Sequence, residues 1–220
     1  MKKNLLAAAF MLLSSYIFAQ VNSCQCPENL DAGTTEGDAP QKVFTFKNGR
    51  QIILCGYENE EDGKAVYSEF ILQECDSPDI IGFWEAMFTG TVEFKNNVIF
   101  IKEEMQLPVG PNRSFVATTW STETIQYLDK SLVRKRVINR SIRKYTEAEI
   151  KATLQEFEEG SAKYKGDVED LMGKLFIAAL SGSTKAKTYF DDFDRFATLD
   201  GAVAEQYKDL SAMLSEFIRN

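Results

Sequence analysis

The chain has 220 residues, a formal net charge of −8, 44% apolar residues and no histidine. An acidic chain is a poor general binder of nucleic acid or anionic lipid, because it shares their sign of charge. Without imidazole, Ser-His-Asp and Cys-His pairs and histidine-ligated zinc or haem are excluded, and acid–base chemistry near neutral pH falls to carboxylates, Lys or Tyr.

Residues 1–19 have the form of a secretory signal peptide. Lys2 and Lys3 precede an apolar run from Leu5 to Leu13, Ser14-Ser15-Tyr16 interrupts it, and Ala19 offers a small residue for cleavage. The run falls far short of the ~20 apolar residues that span a bilayer, and no later segment reaches that length. Losing Lys2 and Lys3 takes the charge from −8 to −8 − 2 = −10. A lipid anchor on Cys24 is the competing reading. Asn22 suits that motif poorly and lipidation would leave three thiols, so cleavage after Ala19 is expected.

Residues 20–41 form an irregular segment rich in Gly, Thr, Asp and Pro, with little apolar surface to hold it down. Four cysteines follow from it into the next region: Cys24, Cys26, Cys55 and Cys75. An even number in an exported chain reads as disulfides. A Cys24–Cys26 ring is very tight and ranks last. The other two pairings both tie the segment to the strands around Cys55 and Cys75, and spacing alone does not choose between them. Cys24-Gln25-Cys26 is far less specific as a redox pair than a Cys-x-x-Cys, and a four-cysteine metal site would be oxidised outside the cytosol.

Residues 42–145 read as β-rich. Val43 to Phe46 and Gln51 to Tyr57 flank Asn48-Gly49, a turn pair that tolerates positive φ. Glu58 to Gly63 reads as a solvated acidic loop, and Ala65 to Cys75 as a strand with Val66, Phe70 and Leu72 on one face. Ile80 to Phe88 fits a short helix as well as a strand. Its Phe83 and Trp84 are either core or an aromatic platform for a sugar ring or apolar ligand. Thr91 to Lys95 and Val98 to Glu104 flank Asn96-Asn97, a second tight hairpin. Leu107 to Asn112 reads as a loop, and Ser114 to Trp120 and Thr124 to Leu128 as strands. The succession of hairpins predicts an antiparallel sheet, open or barrel-like.

Lys130 to Lys144 carries seven basic residues and no acidic one. Periodicity slightly favours a helix, but β-branched residues and the turn-like Asp129-Lys130-Ser131 lead us to expect a strand. Arg134, Lys135, Arg136, Arg140, Arg143 and Lys144 form a candidate patch for an anionic glycan or an acidic protein face. The plainer alternative is a solvated basic face that docks on the acidic helices that follow.

Residues 146–220 read as helical. Thr146-Glu147-Ala148-Glu149 is a capping box. It opens a helix that carries Ile150, Leu154 and Phe157 and stops near Gly160. A second amphipathic helix runs from about Asp167 to Leu180 and ends at Gly182. Ser183 caps a third with Ala186, Phe190, Phe193 and Ala197 on one face. Asp200 caps a fourth with Val203, Tyr207, Leu210, Leu214 and Phe217. Asp191, Asp192 and Asp194 fail the EF-hand pattern, because Ala197 and Val203 occupy the positions that need Gly and a bidentate acid.

The expected class is therefore α+β: an N-terminal antiparallel sheet followed by about four antiparallel helices. No catalytic, cofactor-binding or metal-binding motif is present. The expected role is that of an exported, non-catalytic cell-envelope protein that binds or assembles with an envelope protein or anionic glycan. A carboxylate-dependent hydrolase acting on glycans and a purely structural accessory domain are the alternatives.

Overall fold

Local turn chemistry builds the first half of the fold. The computed structural model describes residues 24–61, 63–75, 77–85, 87–160 and 168–219, and the expected signal peptide lies outside them. Eight strands follow one another: β1 (Lys42–Thr45), β2 (Gln51–Glu61), β3 (Lys64–Glu74), β4 (Ile80–Trp84), β5 (Thr89–Lys95), β6 (Val98–Leu107), β7 (Val116–Leu128) and β8 (Ser131–Ile138). Gly49 turns β1 into β2 at φ +82°, and Asn96 and Asn97, both at positive φ, turn β5 into β6. Every pairing is antiparallel, in the order β1-β2-β3-β5-β6-β7-β8, with β4 paired to β3 beside this path.

The sheet is open but strongly curled. The Phe46 ring, just past β1, meets Tyr127 of β7 edge-on at 4.9 Å, although the two lie at opposite ends of the strand order. Around them Phe44, Ile52, Leu54, Tyr67, Phe70, Leu72, Ile99, Ile101 and Ile125 fill a common interior. Burial, reinforced by the Glu74 carboxylate that its hydroxyl bonds, pushes the Tyr127 phenol up to about 12; Arg50 opposes this.

Two bulges set which side chains enter that interior. Glu69 is an extra residue in β3 at φ +50°, opposite the step from Gly56 to Tyr57. The bulge flips the parity of β3, so Tyr67 joins Phe70 and Leu72 in this interior, and Val66, though buried, stands outside that cluster. Gly56 sits at φ +151°, where an added Cβ would come within 2.5 Å of the Glu69 carbonyl oxygen. Trp120 is the extra residue in β7, between the pairs Glu103↔Ser121 and Glu104↔Thr119. It lets one 13-residue strand replace the two short strands expected here.

Three further segments revise or complete the expectation. Glu58 to Glu61 continue β2 as exposed strand instead of a loop, because backbone pairing with β3 needs no apolar side chain. Ile80 to Trp84 are strand, fixed by the pairs Phe70↔Trp84 and Ile71↔Phe83. The basic run is strand only as far as Ile138, then an irregular link whose Ile142 and Tyr145 are buried.

On the other face of β2 and β3, Cys26, Ala32, Ile53, Cys55 and Ile71 make a small separate core. Disulfides Cys26–Cys55 and Cys24–Cys75, with Cα atoms 5.8 and 5.1 Å apart, hold the N-terminal segment there. By restricting the unfolded chain, each bridge contributes about 2–4 kcal/mol.

The helices are α1 (Glu147–Gly160), α2 (Val168–Leu180), α3 (Thr184–Asp191), α4 (Phe193–Phe196) and α5 (Gly201–Arg219). The capping box forms in both directions: Thr146 N donates to Glu149 Oε2 at 2.8 Å, and Glu149 N donates to Thr146 Oγ1 at 3.3 Å. At the end of α2, Ser183 N donates to the Ala178 carbonyl and Gly182 N, at φ +98°, to that of Ala179, a Schellman motif. Ser183 Oγ then accepts from Ala186 N to start α3. The expected third helix is divided in two at Asp192, whose ψ of 13° leaves the helical range. Ala186, Phe190 and Phe193 nevertheless reach the same core. That core packs the helices on Met105, Leu107, Trp120 and Ile138 of the sheet.

Gly56→Ala is expected to cost more than ~1 kcal/mol in chemical denaturation, because φ and space both reject a side chain there. Glu149 is held down at about 2 by its hydrogen bond to Arg143, then by the Thr146 amide. The unfolded chain therefore binds the extra proton, and this contribution is full above about 4.5 and disappears as pH falls toward 2. Stability measured against pH should lose part of its acid limb in Glu149→Gln.

Candidate functional site

The arginines of β8 lie on alternate positions and face the curled interior. Arg134 Nε meets Glu123 Oε1 at 2.6 Å, Arg134 Nη1 donates to the Ile81 carbonyl, and its guanidinium lies 5.6 Å from the Trp84 ring. Arg136 Nη2 meets Glu103 Oε2 at 2.7 Å, and its Nη1 reaches both carboxylate oxygens of Glu216 on α5 at 2.9 Å. Ser121 Oγ donates to the same Glu103 oxygen. Glu103 and Glu123 are buried. Burial opposes the charge on Arg136, but Glu103 and then Glu216 outweigh it and raise its pKa. These residues form a charged layer between the strand core, which ends at Ile101, and the helical core, which begins at Met105.

The rest of the basic run also meets the helices. Arg140 Nη1 donates to the Phe217 carbonyl in the last turn of α5, with its guanidinium 4.2 Å from the Phe217 ring, where a cation suits the helix dipole. Arg143 pairs with Glu149 at 2.5 Å. Lys135 and Lys144 are exposed. The structure thus does not gather the six basic residues on one free surface. Phe83 and Trp84 are likewise separated by strand alternation. Trp84 stacks on Phe70 at 4.8 Å inside the sheet, while Phe83 is exposed.

Phe83 lines a cavity of about 680 Å³ between β3, β4 and α5. Its other walls are Asp31, Glu69, Glu85, Met87, Glu169 of α2, and Ala202, Glu205, Gln206, Lys208 and Asp209 of α5. A second hollow of about 230 Å³ shares Met87 and Gln206 with it and adds Glu61, Glu104 and Met105. Together they make a groove that, among the described residues, is lined by eight carboxylates and one Lys, with Phe83, Met87 and Met105 as its large apolar members. The Glu69 bulge adds a carboxylate to the wall at the cost of a strained φ. Burial raises the pKa of Asp209 against the pull of Lys208, and the charge of Glu205 adds a smaller push in the same direction as burial.

None of the groove residues except Phe83 stands out in the sequence, because they come from segments up to 178 positions apart and share no spacing. No group of His, Cys, Asp or Glu among the described residues is arranged to hold a metal ion. No helix among them is long and apolar enough to cross a membrane. Comparison with known proteins gives no match to a family model, a curated protein or a solved structure.

Arg136→Met is expected to lower stability by about 3–5 kcal/mol, because it strands Glu103 in a buried position. Adding Glu103→Leu should recover most of that loss in a double-mutant cycle followed by denaturation.

Proposed function

We propose that this chain is an exported, non-catalytic binding protein that assembles with components of the cell envelope, and that the groove is its recognition surface. The observation that carries the reading is the lining: among the described residues, eight carboxylates against one Lys, beside apolar Phe83, Met87 and Met105. Such a surface attracts a Lys- or Arg-bearing segment and offers its aliphatic stems somewhere to pack. The four arginines that could have met an anionic glycan are already engaged with Glu103, Glu123, Glu149, Glu216 and backbone carbonyls. Two disulfides and the form of residues 1–19 support an oxidising compartment outside the cytosol.

One observation favours the hydrolase alternative. Asp209, whose pKa burial raises, shares the cavity with Glu69 and with exposed Phe83, which could stack on a sugar ring.

The deciding experiment titrates the mature protein with a short peptide alternating Lys and Leu. Binding should weaken steeply with salt, and by about tenfold or more in Glu85→Lys/Glu205→Lys. A bound cation favours ionised Asp209, so affinity should also fall as pH drops through the raised pKa of that group. Absence of binding overturns the reading. Glycan turnover that disappears in Asp209→Asn would move the assignment to a hydrolase.

A further inference from the structure

The outer face of the sheet carries the charge that the groove lacks. Side chains that alternate with the buried Val92, Ile99, Ile101 and Ile125 point away from the interior. The register aligns them across strands, from Lys102 through Thr122 to Val137, and from Phe100 through Thr124 to Lys135. Lys95, Lys102 and Lys135 are exposed on this face, Glu93 is the one acidic residue in these rows, Glu104 stands on the same side two positions beyond Lys102, where the groove wall begins, and Val137 is 54% exposed. It is a basic, partly apolar surface on an acidic protein, and it is convex because the sheet curls the other way.

We infer that the groove's partner is a second copy of this chain, whose outer sheet face docks against the carboxylates in a head-to-tail contact. The inference rests on reading the groove as a binding site for cations. Charge decides the arrangement. A two-fold contact through the sheet would set lysines against lysines, and one through the groove would set carboxylates against carboxylates. Of the contacts that use a single face of each copy, only a heterologous one joins opposite signs, and it also seats the outward-curved side of the sheet in the groove. The dimer then keeps one face of each kind unused, a sheet face on one copy and a groove on the other, so association continues unless the rotation closes a ring.

Sedimentation velocity of the mature, disulfide-bonded chain tests this. At low salt the average sedimentation coefficient should rise with protein concentration, and in ~0.5 M salt it should return to the monomer value. Two variants each remove one face: Lys95→Glu/Lys102→Glu/Lys135→Glu, and Glu85→Lys/Glu205→Lys. All five positions are exposed, so both should melt like the wild type. Each variant alone should remain monomeric. Mixed, they retain one intact sheet face and one intact groove between them, and should form a one-to-one dimer that grows no further.

A wild type that stays monomeric, or association that neither variant disturbs, overturns the inference. A monomeric wild type that still binds the Lys-Leu peptide removes self-assembly and leaves the groove reading intact; one that binds neither removes both. Binding of the outer face to vesicles of anionic lipid, without self-association, would also overturn it.

Discussion

The guanidinium of Arg136 links the two halves of this molecule at the seam between their cores. It sits on the last strand of the sheet, bonds a buried carboxylate on β6 and reaches a second carboxylate near the end of the last helix. A buried charge without partners is expensive, so Glu103 is tolerated only because Arg136 and Ser121 meet it. Once it is met, the sheet interior can change character along a single strand. Ile99 and Ile101 belong to a core made by strands, and Met105 and Leu107 to one made by helices. The charged layer therefore marks the place where the curled sheet stops closing on itself and receives helices.

Much of this was legible in the sequence wherever the determinant is local. The Thr146–Glu149 box, the glycine at 182, the serine at 183 and the Asn-containing hairpins each act through neighbours a few positions away, and each is found where the residues place it. The α+β class follows from the same signals. The exclusion of a Cys24–Cys26 ring follows from its size, but the choice between the two remaining pairings needed the positions of β2 and β3.

Long-range determinants were not legible. The Glu69 bulge places Tyr67, not Val66, beside Phe70 and Leu72, and no propensity marks Glu as a residue that takes positive φ inside a strand. Ile80 to Trp84 have a pattern that suits helix or strand equally, and their pairing with β3 decides the matter. The basic run was conspicuous, but its roles were not. Alternation sends Arg134 and Arg136 inward, whereas Arg140 and Arg143 follow the end of the strand and meet helices. The groove was least legible of all. Its acidic walls are contributed one or two residues at a time by the N-terminal segment, strands, loops and two helices, so its charge exists only in three dimensions.

The covalent wiring has a consequence for how the chain matures. Every cysteine lies within the first 75 residues, and the bridges connect the N-terminal segment to the second and third strands alone. Tyr127, which completes the interior those strands enclose, is made some fifty positions later, and the helices later still. Chains fold from the N-terminus as they emerge. Oxidation can thus be finished on a half-built sheet whose apolar side still faces water, and the noncovalent steps that follow inherit a hairpin already locked in register.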